Sequence, residues 1–136
     1  MDRNLGATQV ATSSSDAASF GDLYQWGRLA DGHQVRTFAV ITTLSSTDVP
    51  GNANFIGTSV SPLDWHSPQN DNLWQGVNGI NNPCLTGFRI PTQAEFNAEA
   101  ALFTSQNQAG AFASPLKIPA AGSRRYDNGT NIATNY

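Results

Sequence analysis

The chain carries little charge, one cysteine, one methionine and no long apolar run, and each shortage narrows what it can be. Asp, Glu, Lys and Arg together supply 12% of 136 residues, about half the share usual in a soluble domain. Its seven basic residues form no stripe, and Arg124-Arg125, the only adjacent pair, is too small to follow a phosphate backbone. With a net charge of −3, nucleic acid is not the expected partner. No apolar stretch approaches the roughly 20 residues a membrane-spanning helix needs, so membrane insertion is not expected either. A lone cysteine excludes an internal disulfide. Cys84 reads first as a small buried hydrophobe, next as half of a disulfide with a residue outside this chain, and last as a nucleophile.

What is present is neutral and polar. Thirteen Asn, 12 Ser, 12 Thr and 12 Gly favour turns and local backbone hydrogen bonds over long helices. Hydrophobic residues at 39% and aromatics at 10% still suffice for one small core, and the length suits one domain. Composition of this kind is common on secreted and virion proteins.

Local patterns place a few elements. Residues 1–10 read as a short strand or extended segment. From Asp16 to Arg28, Phe20, Leu23, Tyr24 and Gly27 follow helical spacing, and the preceding Ser/Asp run offers caps, so a helix is predicted over 16–28. Val35 to Leu44 has strand composition. Residues 45–82 are rich in Pro, Gly, Asn and Ser and predict no long regular element. The large apolar residues there, among them Phe55, Ile56, Trp65, Leu73 and Trp74, predict a packed loop. Thr92 and Glu95 form a capping box, and Phe96, Ala100 and Phe103 continue at helical spacing, which predicts a core-facing helix over 93–103. Leu116, Ile118 and Ala120 alternate as a short strand before a turn at Asp127-Asn128-Gly129.

The order of these blocks resembles a known family. Asp2-Arg3-Asn4-Leu5-Gly6-Ala7, Gly21-Asp22-Leu23-Tyr24-Gln25-Trp26-Gly27-Arg28, Leu73-Trp74-Gln75-Gly76 and Asn81-Asn82-Pro83-Cys84 come first. Gly87-Phe88-Arg89-Ile90-Pro91-Thr92 and Leu116-Lys117-Ile118-Pro119-Ala120-Ala121-Gly122 follow. Together they are similar to the Fibrobacter succinogenes major paralogous domain. The resemblance implies an α+β, C-type-lectin-like fold over 1–136, with two helices around a small twisted antiparallel sheet and long irregular loops. Such domains occur on bacterial surface proteins and phage tails. Leu85, and Phe96 where Trp is common, are mild departures. Relatives continue past the position of Tyr136 with a Tyr-Trp-Ser-Ser block and a final strand carrying a second Cys. The chain also begins at a Met that in relatives follows a Trp inside the first strand. The expectation is therefore a domain incomplete at both ends and lacking its C-terminal strands, whose open edges invite self-association or a complementing chain.

The chemistry expected is recognition without catalysis. Formylglycine-generating enzymes share the implied fold but use two cysteines, and Cys84 is alone. Glu95 and Glu99 lie at i and i+4, where capping and a solvated face explain them better than a glycosidase pair. Neither histidine sits in a catalytic or zinc spacing. No cofactor is expected. The best ligand-binding surface lies in 45–82, with Phe55, Trp65, His66, Asn70, Asp71 and Asn72 as candidates for a glycan or protein ligand. Trp74 reads more readily as a framework plug, and Trp65 equally well as plug or platform. Asn70, Asp71 and Asn72 also make a weak calcium candidate, although Asx-rich turns have the same composition. The setting expected is extracellular, at a cell surface or on a virion. The alternative is a structural subunit of a surface or virion assembly.

Overall fold

The computed structural model describes residues 2–132. Its regular elements are short: a 3-10 turn at Ala17–Ser19, strands β1 (Val40–Ile41) and β2 (Phe55–Ile56), and helices α1 (Gln93–Ala100) and α2 (Gln108–Ala113). Strands β3 (Ser123–Arg124) and β4 (Asn131–Ile132) close the list. Two helices and two small sheets make the chain α+β. Its residues fall into two compact units, one of residues 1–22, 91–123 and 132–136, the other of 23–90 and 124–131. The expectation of missing terminal strands falls on Met1, residues 133–136 and whatever lies beyond, outside the described residues. No helix among the described residues is long and apolar enough to cross a membrane.

In the first unit the capping box forms as expected. Glu95 N–H donates to Thr92 Oγ1 at 3.2 Å, and Thr92 N–H donates to Glu95 Oε2 at 2.9 Å. Beyond Ala100 the helix tightens. Leu102 and Phe103 bond three residues back, to the Glu99 and Ala100 carbonyls, so the predicted span to 103 ends as turns. No residue of α1 is buried, contrary to the core-facing helix expected. Helix α2 escaped prediction because six residues with an internal glycine carry little periodicity. Its one sequence signal is Asn107, whose Oδ1 accepts from Gly110 N–H at 3.0 Å.

The helix predicted over 16–28 does not form beyond Ala17–Ser19. Asp16 caps that turn as its composition suggests, and its carboxylate also accepts from Thr12 and Gln9. Gly21 then takes φ +65°, and a Cβ there would lie 2.2 Å from the Leu5 carbonyl oxygen. A left-handed residue in such a position ends a helix, and only glycine fits it. The strand expected at Leu116–Ala120 is absent too: Lys117 has φ +51°, which breaks a pleated run.

In the second unit the Val35–Leu44 strand shrinks to β1. Its partner β2 lies inside the segment expected to be irregular, and the pairing is parallel, Val40 with Phe55 and Ile41 with Ile56. This corrects the antiparallel sheet implied by the resemblance for that pair. The Asp127-Asn128-Gly129 turn stands where expected, between β3 and β4, with Gly129 at φ +65°.

The core of this unit is Ile56, Trp65 and Leu73, with Ile41 packed against it. Each of the three large side chains contributes about 1.5–3 kcal/mol by leaving water. Beside them lies a charge. Arg28 is fully buried, and its guanidinium makes five hydrogen bonds. Two go to Asp31 Oδ2 (3.2 and 2.6 Å), one to Gln25 Oε1 (2.9 Å), and two to the carbonyls of Asn54 (2.9 Å) and Asn52 (3.0 Å). Those bonds match the five N–H donors the group possesses. Its charged face also sits 5.5 Å from the Trp65 ring centroid. Gly27, at φ +82°, lets the chain turn against Leu73, where a Cβ would come within 2.7 Å of Leu73 Cδ1.

Arg28→Met removes one partner of a buried pair and leaves Asp31 without its cation. We expect urea unfolding to show a loss of about 3–5 kcal/mol. A loss below about 1 kcal/mol would mean that the pair is not closed in solution.

Candidate functional site

The Leu23–Gln34 stretch, tied at its ends by Leu23 N–H to Gln34 O (3.0 Å), sets the geometry of an exposed aromatic surface in the second unit. Gln25 acts as a side-chain rung: its Nε2 donates to Ile56 O and its Oε1 accepts from Ile56 N–H, both at 2.9 Å. The three following carbonyls are each held by a side chain from the irregular segment. Trp65 Nε1 donates to Trp26 O (2.6 Å), Asn81 Nδ2 to Gly27 O (2.9 Å), and Trp74 Nε1 to Arg28 O (3.2 Å). Backbone that would otherwise be an open turn is thus fixed at consecutive positions.

That fixation presents three aromatic rings. Trp26 is 45% exposed and lies 6.1 Å from the half-buried Trp74 ring at an interplanar angle of 53°. Tyr24 meets Trp74 edge-on at 6.4 Å. The Trp74 backbone has φ +61°, a left-handed conformation unfavourable for a bulky residue and held here by its indole bond and by Trp74 N–H to Ile80 O (2.9 Å). Among the described residues, the Trp26 indole N–H has no protein acceptor, unlike those of Trp65 and Trp74. Gln75, Val77 and Ile80, beside Trp74 in the chain, are exposed and uncharged.

Behind the ledge sits a buried titratable trio. His33 Nε2 accepts from Gln25 N–H at 2.9 Å, so its single proton is on Nδ1, which donates to Asp31 Oδ1 at 2.6 Å. Burial is the main force lowering the His33 pKa to about 4; Asp31 opposes it, while Arg28 and Arg124 add to it. For Asp31, burial works toward the neutral form, but hydrogen bonds from Arg28 and His33 outweigh it and keep the carboxyl below its ordinary range. Burial also lowers Arg28. Every one of these groups already has its partners inside the protein, which leaves a support rather than a reactive centre.

The residues expected to bind ligand are placed differently. Phe55 and Trp65 are each 3% exposed and His66 is 7% exposed, so none of the three forms an exposed platform. Phe55 lies under the Arg124 guanidinium, 4.4 Å from its ring centroid, and Trp65 is a core residue. Of the two readings open for Trp65 the structure takes the plug, and Trp74 is half-buried with its indole bonded to Arg28 O. His66 donates from Nδ1 to Pro68 O, and its Nε2 lies 3.3 Å from Asp48 Oδ1. Asn70 Nδ2 donates to the same oxygen at 2.8 Å. The structure therefore brings His66 and Asn70 together on Asp48, which no sequence pattern singles out. Asp71 and Asn72 remain exposed at the surface. Asp71 Oδ1 accepts from Gln69 Nε2, and Asn70 Oδ1 from Asn72 N–H, which engages the calcium candidate's oxygens in local turns. Among the described residues no three His, Cys, Asp or Glu side chains are grouped to hold a metal. Cys84 is a free, half-buried thiol whose pKa burial pushes up, the reverse of what a nucleophile needs. Glu95 stands in its capping role.

No protein-family model, curated protein or solved structure matches this chain.

His33 gives the fold a pH dependence of definite sign. Its folded pKa, about 4, lies below the ordinary 6.5, so the unfolded chain binds the extra proton more readily. Its contribution to stability is whole above pH 6.5 and is lost as pH falls toward 4. Urea midpoints measured at fixed salt should decline over that window, and His33→Gln should flatten the decline. An unchanged slope in the variant would remove His33 from the account.

Proposed function

We propose that this chain is a non-catalytic recognition module, with a C-type-lectin-like fold of the Fibrobacter succinogenes major paralogous type, acting outside the cytoplasm on a cell or virion surface. Its ligand is a glycan held against the Trp26–Trp74 ledge. The observation that carries this reading is an exposed tryptophan with an unused indole N–H, held beside a second tryptophan by bonds to three consecutive carbonyls. A rigid ring face suits the C–H face of a sugar, and fixing it before binding avoids the ordering cost of a mobile loop. Gln75, Val77 and Ile80, near Trp74 in the chain, are uncharged, and exposed Asp71, whose carbonyl accepts from Gln75 Nε2, disfavours an acidic saccharide. Absence of catalysis rests on the internal pairing of Arg28, Asp31 and His33 and on the capping role of Glu95.

A second reading is supported by Val77 and Ile80, which are 48% and 51% exposed on the loop that carries Trp74. Apolar residues around an aromatic pair also suit a protein partner, including a structural subunit of a surface or virion assembly.

A neutral-glycan array probed with the purified chain separates the two. Trp26→Ala should weaken retention by at least about ten-fold while the urea midpoint stays near wild type. Failure to bind any glycan, with a mass above the monomer in solution that Trp26→Ala lowers, would replace the glycan reading with assembly.

A further inference from the structure

The first unit contains a cavity of about 630 Å³ that no sequence pattern announced and that the aromatic ledge does not involve. Helix α1 presents Phe96 and Ala100 to it, with Phe103 just past the helix end. Ala111 of α2 and Ile118 complete the apolar wall. Among the described residues, this unit buries no large apolar side chain completely. Its buried hydrophobic residues are Ala111 and Ala120, whereas Phe96 stays 45% exposed. Apolar walls around an unfilled space lose contacts that an occupant of matching shape restores.

Among the described residues the lining includes no Asp, Glu, Lys or Arg. Its polar side chains are the Ser123 hydroxyl and three amides, each amide with one end engaged. Asn4 Nδ2 donates to Phe20 O at 3.2 Å, and Gln106 Nε2 to Ala100 O at 2.8 Å, so among the described residues Asn4 Oδ1 and Gln106 Oε1 are without donors. Asn107 Oδ1 accepts from Gly110 N–H and from Ser105 Oγ–H, leaving Asn107 Nδ2 without an acceptor. An apolar concavity of this size with a few polar groups has the usual make-up of a small-molecule site.

We infer that this cavity binds a neutral small molecule with an apolar body and one hydroxyl or amine head group, the body on Phe96, Phe103 and Ile118 and the head among the three amides. A charged ligand is disfavoured because no counter-ion lines the site to offset its desolvation. An open amide oxygen accepts a hydrogen bond from the head group's O–H or N–H, and the Asn107 amide can donate to its lone pair.

The probe is N-phenyl-1-naphthylamine, a neutral apolar amine whose fluorescence rises on leaving water. Titration of the full chain should saturate at one probe per chain. Ala100→Trp, which fills the cavity from α1, should weaken binding at least about ten-fold. Leu102→Ser, altering the 77% exposed neighbour, should leave it unchanged and so exclude adhesion to surface apolar groups. Independently of any variant, the Ala100, Ala111 and Ile118 methyl resonances should shift on titration while those of the second unit's Ile41 and Ile56 stay still. Unsaturable binding, equal affinity in Ala100→Trp, or methyl shifts spread over both units would overturn the inference. So would binding that appears only on dilution, which would mean a second copy covers the cavity.

Discussion

The buried Arg28 guanidinium is the constraint on which the second unit depends. A charge removed from water requires a counter-ion and a partner for every N–H, and Arg28 finds both through Asp31, Gln25, Asn52 and Asn54. Each partner carries a further obligation. Gln25 can accept from Arg28 only where its amide also pairs with Ile56, which fixes the 25–28 turn to β2. Asp31 divides its oxygens between Arg28 and His33, and His33 returns to Gln25 N–H. The loop of bonds closes on itself. It replaces the regular sheet that four strands of two residues each cannot supply.

The outer surface is a consequence of that interior. Because Trp65, Asn81 and Trp74 each reach one carbonyl of the 26–28 turn, the long irregular segment packs around the turn. Of the three tryptophans, Trp26 alone is exposed, and its indole N–H has no acceptor among the described residues. Rigidity of this kind lowers the entropic cost of binding, and it explains why a polar, loop-rich segment can carry a defined surface. The same scarcity of charge that weakens nucleic-acid contacts leaves no charged side chain among the described residues that line the first unit's cavity.

Legibility followed locality. The Thr92–Glu95 capping box, the Asp16 cap and the Asp127–Gly129 turn involve residues within a few positions of one another, and their chemistry is complete in the sequence. The helix over 16–28 was illegible for the opposite reason. Its apolar spacing is real, but Gly21 and Gly27 are needed with positive φ for close approaches to Leu5 and Leu73, distant in sequence. Parallel pairing of β1 with β2 depends on the Gln25 rung and could not be read from two-residue strands. At the site, aromatic composition left Trp65 open between plug and platform, and the structure buries it in the core. Trp65 and Trp74 differ only in which way the surrounding loop turns, and Asp48 gathers His66 and Asn70 across about twenty residues of chain. The first unit's cavity arises from packing left unfilled, which no linear pattern encodes.

Exchange of the three indole protons, followed by NMR in deuterated buffer, tests the pinned ledge most directly. The account predicts slow exchange at Trp65 and Trp74, whose indoles donate to Trp26 O and Arg28 O, and exchange near the free rate at Trp26. Free-rate exchange at Trp74, or protection of Trp26 in the unliganded chain, would contradict it.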